Sequence, residues 1–351
     1  MKKLFSFAVI GLLAVLLLAA CGGGGGNNDA GDTTDNEGGG EQTAENFSWR
    51  LASNHPEEHA VTKSLRQFTE LAEENSDGSV NVELHHSGVL GEERSVIELV
   101  KSGTLEMARV SASALEGFEE AYSIFNLPYV FQSEEHYYDV MDNSDAVKEI
   151  FEKSKDTGWF AIGWYSGGSR SIYTTSKAVS SPEDMKGLKI RVQESPTAIA
   201  MIEAMGGSPT PMSFGEVYTA LQQGIIDGAE NNELGLTANK HGEVAKHWSQ
   251  TDHQYSPDVL IISTRAWEAL SEDQQQAVME AARTSSDDHK DRWAEATEAA
   301  VKQAKEEMNV TFNDIDKTPF IESAAPIHEN FKDKSEDNAR WFEDFQNHLN
   351  D

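Results

Sequence analysis

The chain has 351 residues, 38% of them hydrophobic, and a formal net charge of −32 at pH 7. An acidic excess of that size argues against nucleic acid as a partner, because phosphate binding needs a basic face. It describes a heavily solvated surface, and the single cysteine, Cys21, leaves no internal disulfide to form.

Residues 1–20 read as a secretory signal peptide: Lys2 and Lys3, an apolar run over 4–20, and the small-residue ending Leu18-Ala19-Ala20-Cys21. The run is too short and wrongly flanked for a membrane span. Its ending resembles a bacterial lipoprotein cleavage box, which implies that Cys21 becomes the lipidated first residue of an extracytoplasmic, membrane-anchored protein. Residues 21–46, rich in Gly, Asn, Asp, Thr and Glu, have little to bury and read as a flexible tether. The folded body is expected over 47–351, long enough for one large or two ordinary domains.

Strand and helix signals then alternate. Residues 47–52 form an apolar strand candidate, Val61, Leu65, Phe68 and Leu71 recur at helical spacing, 80–84 alternate as a strand, and Ile97 and Val100 mark another helix. After 107–110, the segment Phe125-Asn126-Leu127-Pro128-Tyr129-Val130-Phe131 punctuates the chain. Strand character resumes at 159–165, 171–175, 188–192, 225–229 and 259–263, with a helix following Phe214. This is the grammar of an α/β fold, without internal repeats. From 271 to 308 there is scarcely a breaker, and Ala282, Ser286, His289, Trp293, Ala296, Ala300, Ala304 and Met308 mark one face. A helix of that length spans roughly 55 Å and would bridge two lobes. The alternative is a pair of helices kinked around Ser285 and Ser286. Further helices are expected over 320–331 and 338–349.

Site chemistry concentrates between 188 and 231. In Leu188-Lys189-Ile190-Arg191-Val192 the strand period sends Ile190 and Val192 to one face and Arg191 to the other. If the first two fill the core, the guanidinium points toward a cleft, a charged fork suited to a carboxylate. Pro209 and Pro211 read as turns. Ser213 and Glu216 form a capping-box pattern, with Met212 and Val217 as a hydrophobic staple and Gly224 just past the helix end. Phe214 is placed to cover a ligand or to pack, and Asn231 closes an Asp-Gly-Ala-Glu-Asn turn with an amide that both donates and accepts.

Together with Leu90-Gly91-Glu92-Glu93-Arg94 and Phe125-Asn126-Leu127-Pro128-Tyr129, these motifs resemble the solute receptors of tripartite ATP-independent (TRAP) transporters over nearly all of 47–345. The resemblance implies a two-lobed, periplasmic-binding-protein-like α/β fold, with lobes discontinuous in sequence and a long helix across both. It also implies a small organic acid as ligand, membrane subunits as partners, and neither cofactor nor catalysis. The arginine matching Arg191 typically holds the carboxylate, and residues matching Asn231, Glu93 and Arg170 line clefts in the family. Receptors for hexuronates look similar around Ser169-Arg170-Ser171-Ile172-Tyr173.

If Arg170 and Arg191 grip one carboxylate, Glu93 opposes a second: like charges ~4 Å apart cost about 4 kcal/mol at an effective dielectric of about 20. A uronate such as glucuronate or galacturonate, with hydroxyls for Glu93, Asn54 and Asn231, is therefore preferred to a C4-dicarboxylate. A lipid-anchored hydrolase or metalloprotease is the remote alternative. His55-Pro56-Glu57-Glu58-His59 spells H-x-x-E-H, but Pro56 at the first helical position would leave His55 outside the helix. No G-x-S-x-G elbow is present, and His253 is expected to be a buried structural histidine at the cleft border.

Overall fold

The computed structural model describes residues 45–349. The expected signal segment 1–20, Cys21 and all but the last two residues of the tether 21–46 lie outside the described residues. Among the described residues nine strands form one mixed sheet: β1 (Phe47–Ala52), β2 (Val80–His85), β3 (Met107–Ser111), β4 (Trp159–Thr174), β5 (Lys189–Val192), β6 (Ser208–Pro211), β7 (Gly228–Asn231), β8 (His247–Ser263) and β9 (Thr311–Asn313). Their order is β2-β1-β3-β8-β4-β7-β5-β6, with β9 beside β8. The outer trios β2-β1-β3 and β7-β5-β6 are parallel, while β4 and β8 run antiparallel to each other and to the trios they meet.

Side chains of a strand alternate between faces, and here each face of each half-sheet has its own core. In the first half, Trp159, Ala161, Trp164, Val259 and Ile261 pack with the residues of 96–150 on one side. Phe160, Ile162, Tyr165, Leu260 and Ile262 pack with the helix Ala60–Asn75 on the other. In the second half, Ile172, Ile190 and Val192 face the helix Pro196–Ala204, whereas Tyr173, Ala229 and Trp248 face Val217 and Leu221. The result is two lobes joined by the long strands β4 and β8.

The strands cross between lobes at Ser166–Ser169, where their register shifts. A Cβ on Gly167 would lie 2.4 Å from the Ser256 carbonyl oxygen, and one on Gly168, whose φ is +66°, 2.7 Å from the Trp293 ring. Only glycine passes there. The helix Glu272–Glu306 is continuous through Ser285 and Ser286. Both serines are buried; Ser285 bonds back to the Ala282 carbonyl at 3.1 Å and Ser286 to that of Trp164 at 2.5 Å, so neither opens a kink. Val278, Ala281, Ala282, Trp293 and Ala300 join the core of the first lobe and Ala304 that of the second, so this helix spans both.

Several sequence expectations need correction. The strands expected at 159–165 and 171–175 are one strand, and the one expected at 259 begins at His247. Pro209 and Pro211 lie in β6, a sheet edge where a missing N–H costs no ladder bond, rather than in turns. Ser213 makes no side-chain cap; a 3-10 turn over Phe214–Glu216 bonds Glu216 N to the Ser213 carbonyl instead. Gly224 does end the following helix, at φ +68°. Pro56 does not start a helix, because the first helical residue is Ala60, with the His59 ring as N-cap.

Candidate ligand-binding site

The crossing leaves a cleft between the lobes, and all six residues singled out from the sequence, Arg191, Arg170, Asn231, Glu93, Asn54 and Phe214, line it. Its free volume is about 30 Å³, room for one or two waters. Asn54 follows β1, Glu93 opens the helix Glu93–Lys101, and Arg170, Arg191 and Asn231 come from the neighbouring strands β4, β5 and β7.

The guanidinium groups differ in their surroundings. Arg170, 5% exposed, is committed: Nε and Nη2 meet the two Glu230 carboxylate oxygens at 2.5 and 2.8 Å, and Nη1 donates to Asn231 Oδ1 at 2.7 Å. Three of its five N–H groups go to Glu230 and one to Asn231, which leaves a single Nη1 N–H beside the cleft to share a carboxylate with Arg191. The cause is the register: Asn231 pairs with Ser171, which sets Glu230 and Asn231 against Arg170. Burial opposes ionisation of Glu230, but the charge and hydrogen bonds of Arg170, with the His253 ring 3.6 Å away, overcome it and hold the carboxyl at about 2. His253 is wholly buried and bonds Thr251 Oγ1 at 2.8 Å, a structural role.

Arg191 is 3% exposed and has no carboxylate within 4.0 Å among the described residues. Nε and Nη2 both donate to the Met212 carbonyl, at 3.1 and 2.8 Å, and the Phe214 ring lies over the guanidinium with its centroid 5.6 Å away. Burial draws its pKa down, Glu230 opposes this and Arg170 adds to it. A buried, fixed cation without an anion is the electrostatic signature of a site waiting for one.

A third arginine, Arg109, was missed, as were Asp258 and His55. Arg109 sits on β3, and its Nη1 donates to Asn54 Oδ1 at 2.7 Å and to Glu93 Oε1 at 3.0 Å, while Nη2 is 2.5 Å from Asp258 Oδ2 and bonds His55 Nε2. Ser111 donates its N–H and hydroxyl to Glu93 at 3.0 and 2.8 Å. Burial would raise the Asp258 pKa, but the charge of Arg109 beside it keeps it at about 2. A lone arginine in the buried strand Met107–Ser111 was the signal available in the sequence. The His55 and His59 rings stack at 3.8 Å, with His59 Nδ1 accepting from Val61 N, while Glu57 faces Arg66 and Glu58 faces Lys63. Among the described residues no group of three or more metal-ligating side chains converges.

Fold and cleft define a two-lobed α/β receptor for an anionic solute. The model of bacterial extracellular solute-binding protein family 7, DctP, matches residues 51–334, and the chain belongs to that family of TRAP solute-binding proteins. A TRAP periplasmic solute-binding protein from Anaerococcus prevotii, with bound α/β-D-glucuronate, is 38% identical; the match covers 86% of this chain and 97% of that one with a TM-score of 0.84. Another from Sulfitobacter sp. NAS-14.1, with bound β-D-galacturonate, is 32% identical over 86% of this chain and all of that one, TM-score 0.82. A solute-binding protein from Chromohalobacter salexigens is 35% identical over 294 residues, covering 82% of this chain and 86% of its own length. Members of the family are solute receptors, and no helix among the described residues is long and apolar enough to cross a membrane.

Proposed function

We propose that the chain is a lipid-anchored receptor that captures a hexuronate, D-glucuronate or D-galacturonate, and hands it to the membrane subunits of a TRAP transporter. One observation carries the ligand class: Arg191 is buried in the cleft with no carboxylate partner among the described residues. Its free donor edge takes the sugar carboxylate, Phe214 covers the pair, and the unshared amide N–H groups of Asn54 and Asn231 meet hydroxyls. Glu93 accepts from hydroxyls and disfavours a second acid. The uronates bound in similar receptors support the same choice. With about 30 Å³ free, a hexuronate enters only as the lobes part, so binding is coupled to opening and closure about the β4/β8 crossing.

Cys21, after its basic and apolar leader, supplies the anchor, and residues 21–46 the tether on which the body 47–351 reorients. The ligand reading is tested by a thermal-shift and calorimetry panel over uronates, other sugar acids, C4-dicarboxylates and zwitterions. Glucuronate or galacturonate is expected to bind best, and Arg191→Ala to weaken it at least about 100-fold, the scale of a buried charge pair. Preference for succinate, or unchanged affinity in Arg191→Ala, refutes it. Partition of the expressed protein into detergent, lost in Cys21→Ser, tests the anchor.

A further inference from the structure

The two walls of the cleft carry opposite charge. On the second lobe Arg170 is neutralised by Glu230, which leaves the charge of Arg191. On the first lobe a single guanidinium, Arg109, faces two carboxylates, Glu93 and Asp258. His55, also on this wall, lies 3.4 Å from Asp258, but burial and Arg109 pull its pKa down, so it adds no positive charge. His59, stacked behind it, is likewise held neutral by burial. Glu92 lines the adjoining recess beside Arg191, where burial and the neighbouring Glu93 push its pKa up. The cleft therefore has one cationic and one anionic wall, both lining the same cavity. Arg109 is already oversupplied with anions and is no second seat for a carboxylate.

We propose that Asp258, held with Glu93 on Arg109, is a specificity-determining residue that admits sugar monoacids and rejects sugar diacids. The proposal rests on the reading that the ligand's carboxylate sits on Arg191. Hydroxyls at the far end of a monoacid donate to Asp258 and Glu93, which accept and cannot donate when ionised. A diacid brings a second negative charge to that wall with no counter-ion left to meet it. Asp258 keeps its charge despite its burial because the Arg109 guanidinium lies beside it.

Calorimetry on the purified receptor with D-glucuronate, D-gluconate, D-glucarate, D-galacturonate and galactarate tests this. The monoacids are expected to bind on the order of 50-fold more tightly than the matched diacids, the effect of one like charge at ~7 Å and an effective dielectric of about 20. Asp258→Asn is expected to shrink that ratio to within about 5-fold, mainly by tightening the diacids. Glu93→Gln, at the more exposed partner of Arg109, makes the same comparison should Asp258→Asn fail to fold. Diacids binding the unmodified receptor as tightly as monoacids, or a ratio unmoved in every variant that folds, overturns the proposal. Discrimination of gluconate from glucarate without any uronate binding would sink the uronate reading while upholding the role of Asp258.

Discussion

Glu230 is 1% exposed, and a carboxyl so buried would ordinarily hold its proton. It stays ionised because Arg170 offers two parallel N–H donors, and the pair is in turn fixed by neighbouring strands. Glu230→Gln would leave Arg170 as a second buried guanidinium without a counter-ion. A stability loss of about 3–5 kcal/mol in urea melts is expected without ligand, and a loss below about 1 kcal/mol would contradict that account. Such pairings explain what the sequence could and could not disclose at this scale. Arg191 was legible because Ile190 and Val192 alternate with it into a core; how much of the Arg170 fork Glu230 takes was not, since it depends on a partner sixty residues away. Asp258 was illegible for the same reason, and the lone arginine of β3 gave only a position: the two acquire their meaning together when β3 and β8 pair.

At the scale of elements, the long helix was readable from the scarcity of breakers and one face marked at steps of three or four, whereas β4, read as two strands, contains Gly167 and Gly168 between them. They are what lets a strand pass from one lobe to the other against Ser256 and Trp293. Gly168→Ala is expected to destabilise the protein by about 1–3 kcal/mol through its positive φ and the Trp293 contact. Unchanged melting would refute the tight crossing. A second device also joins the lobes. Glu116, from the first, accepts from Ser195 Oγ at 2.5 Å and from Thr197 N and Oγ1 at 3.1 and 2.7 Å, at the start of the helix Pro196–Ala204 in the second. Asn126 steadies the same carboxylate at 2.9 Å. These bonds join the lobes in the state described, so Glu116→Gln should weaken ligand binding about 5- to 30-fold, the worth of charge-assisted hydrogen bonds. Equal affinities by calorimetry would assign Glu116 to the fold alone.

For the molecule as a whole, buried histidines set the acid limit. Burial pushes His289 to about 4, against the pull of its Ser166 hydrogen bond, and His241 to about 3, helped by Arg191. Their pKa values lie below that of an unfolded histidine, so the unfolded chain binds more protons between them, and stability falls as pH drops from about 6.5 toward 4. Glu233, pushed up to about 7 by burial, acts in the opposite sense, its contribution being lost as pH rises from about 4.5 to 7. The histidines outweigh it below about 6, so melting temperature is expected to fall from pH 6 to 4, and less steeply in His289→Gln. Identical profiles would remove His289 from the account.

The central claim, that Arg191 is the cation awaiting a sugar carboxylate inside a closing cleft, meets its most direct test in a crystal structure of the receptor with D-glucuronate. The account predicts the carboxylate within about 3 Å of the free Arg191 donor edge, Phe214 over it, and hydroxyls toward Glu93 and Asp258. A glucuronate seated outside the cleft, or one with its carboxylate on Arg109, would contradict it.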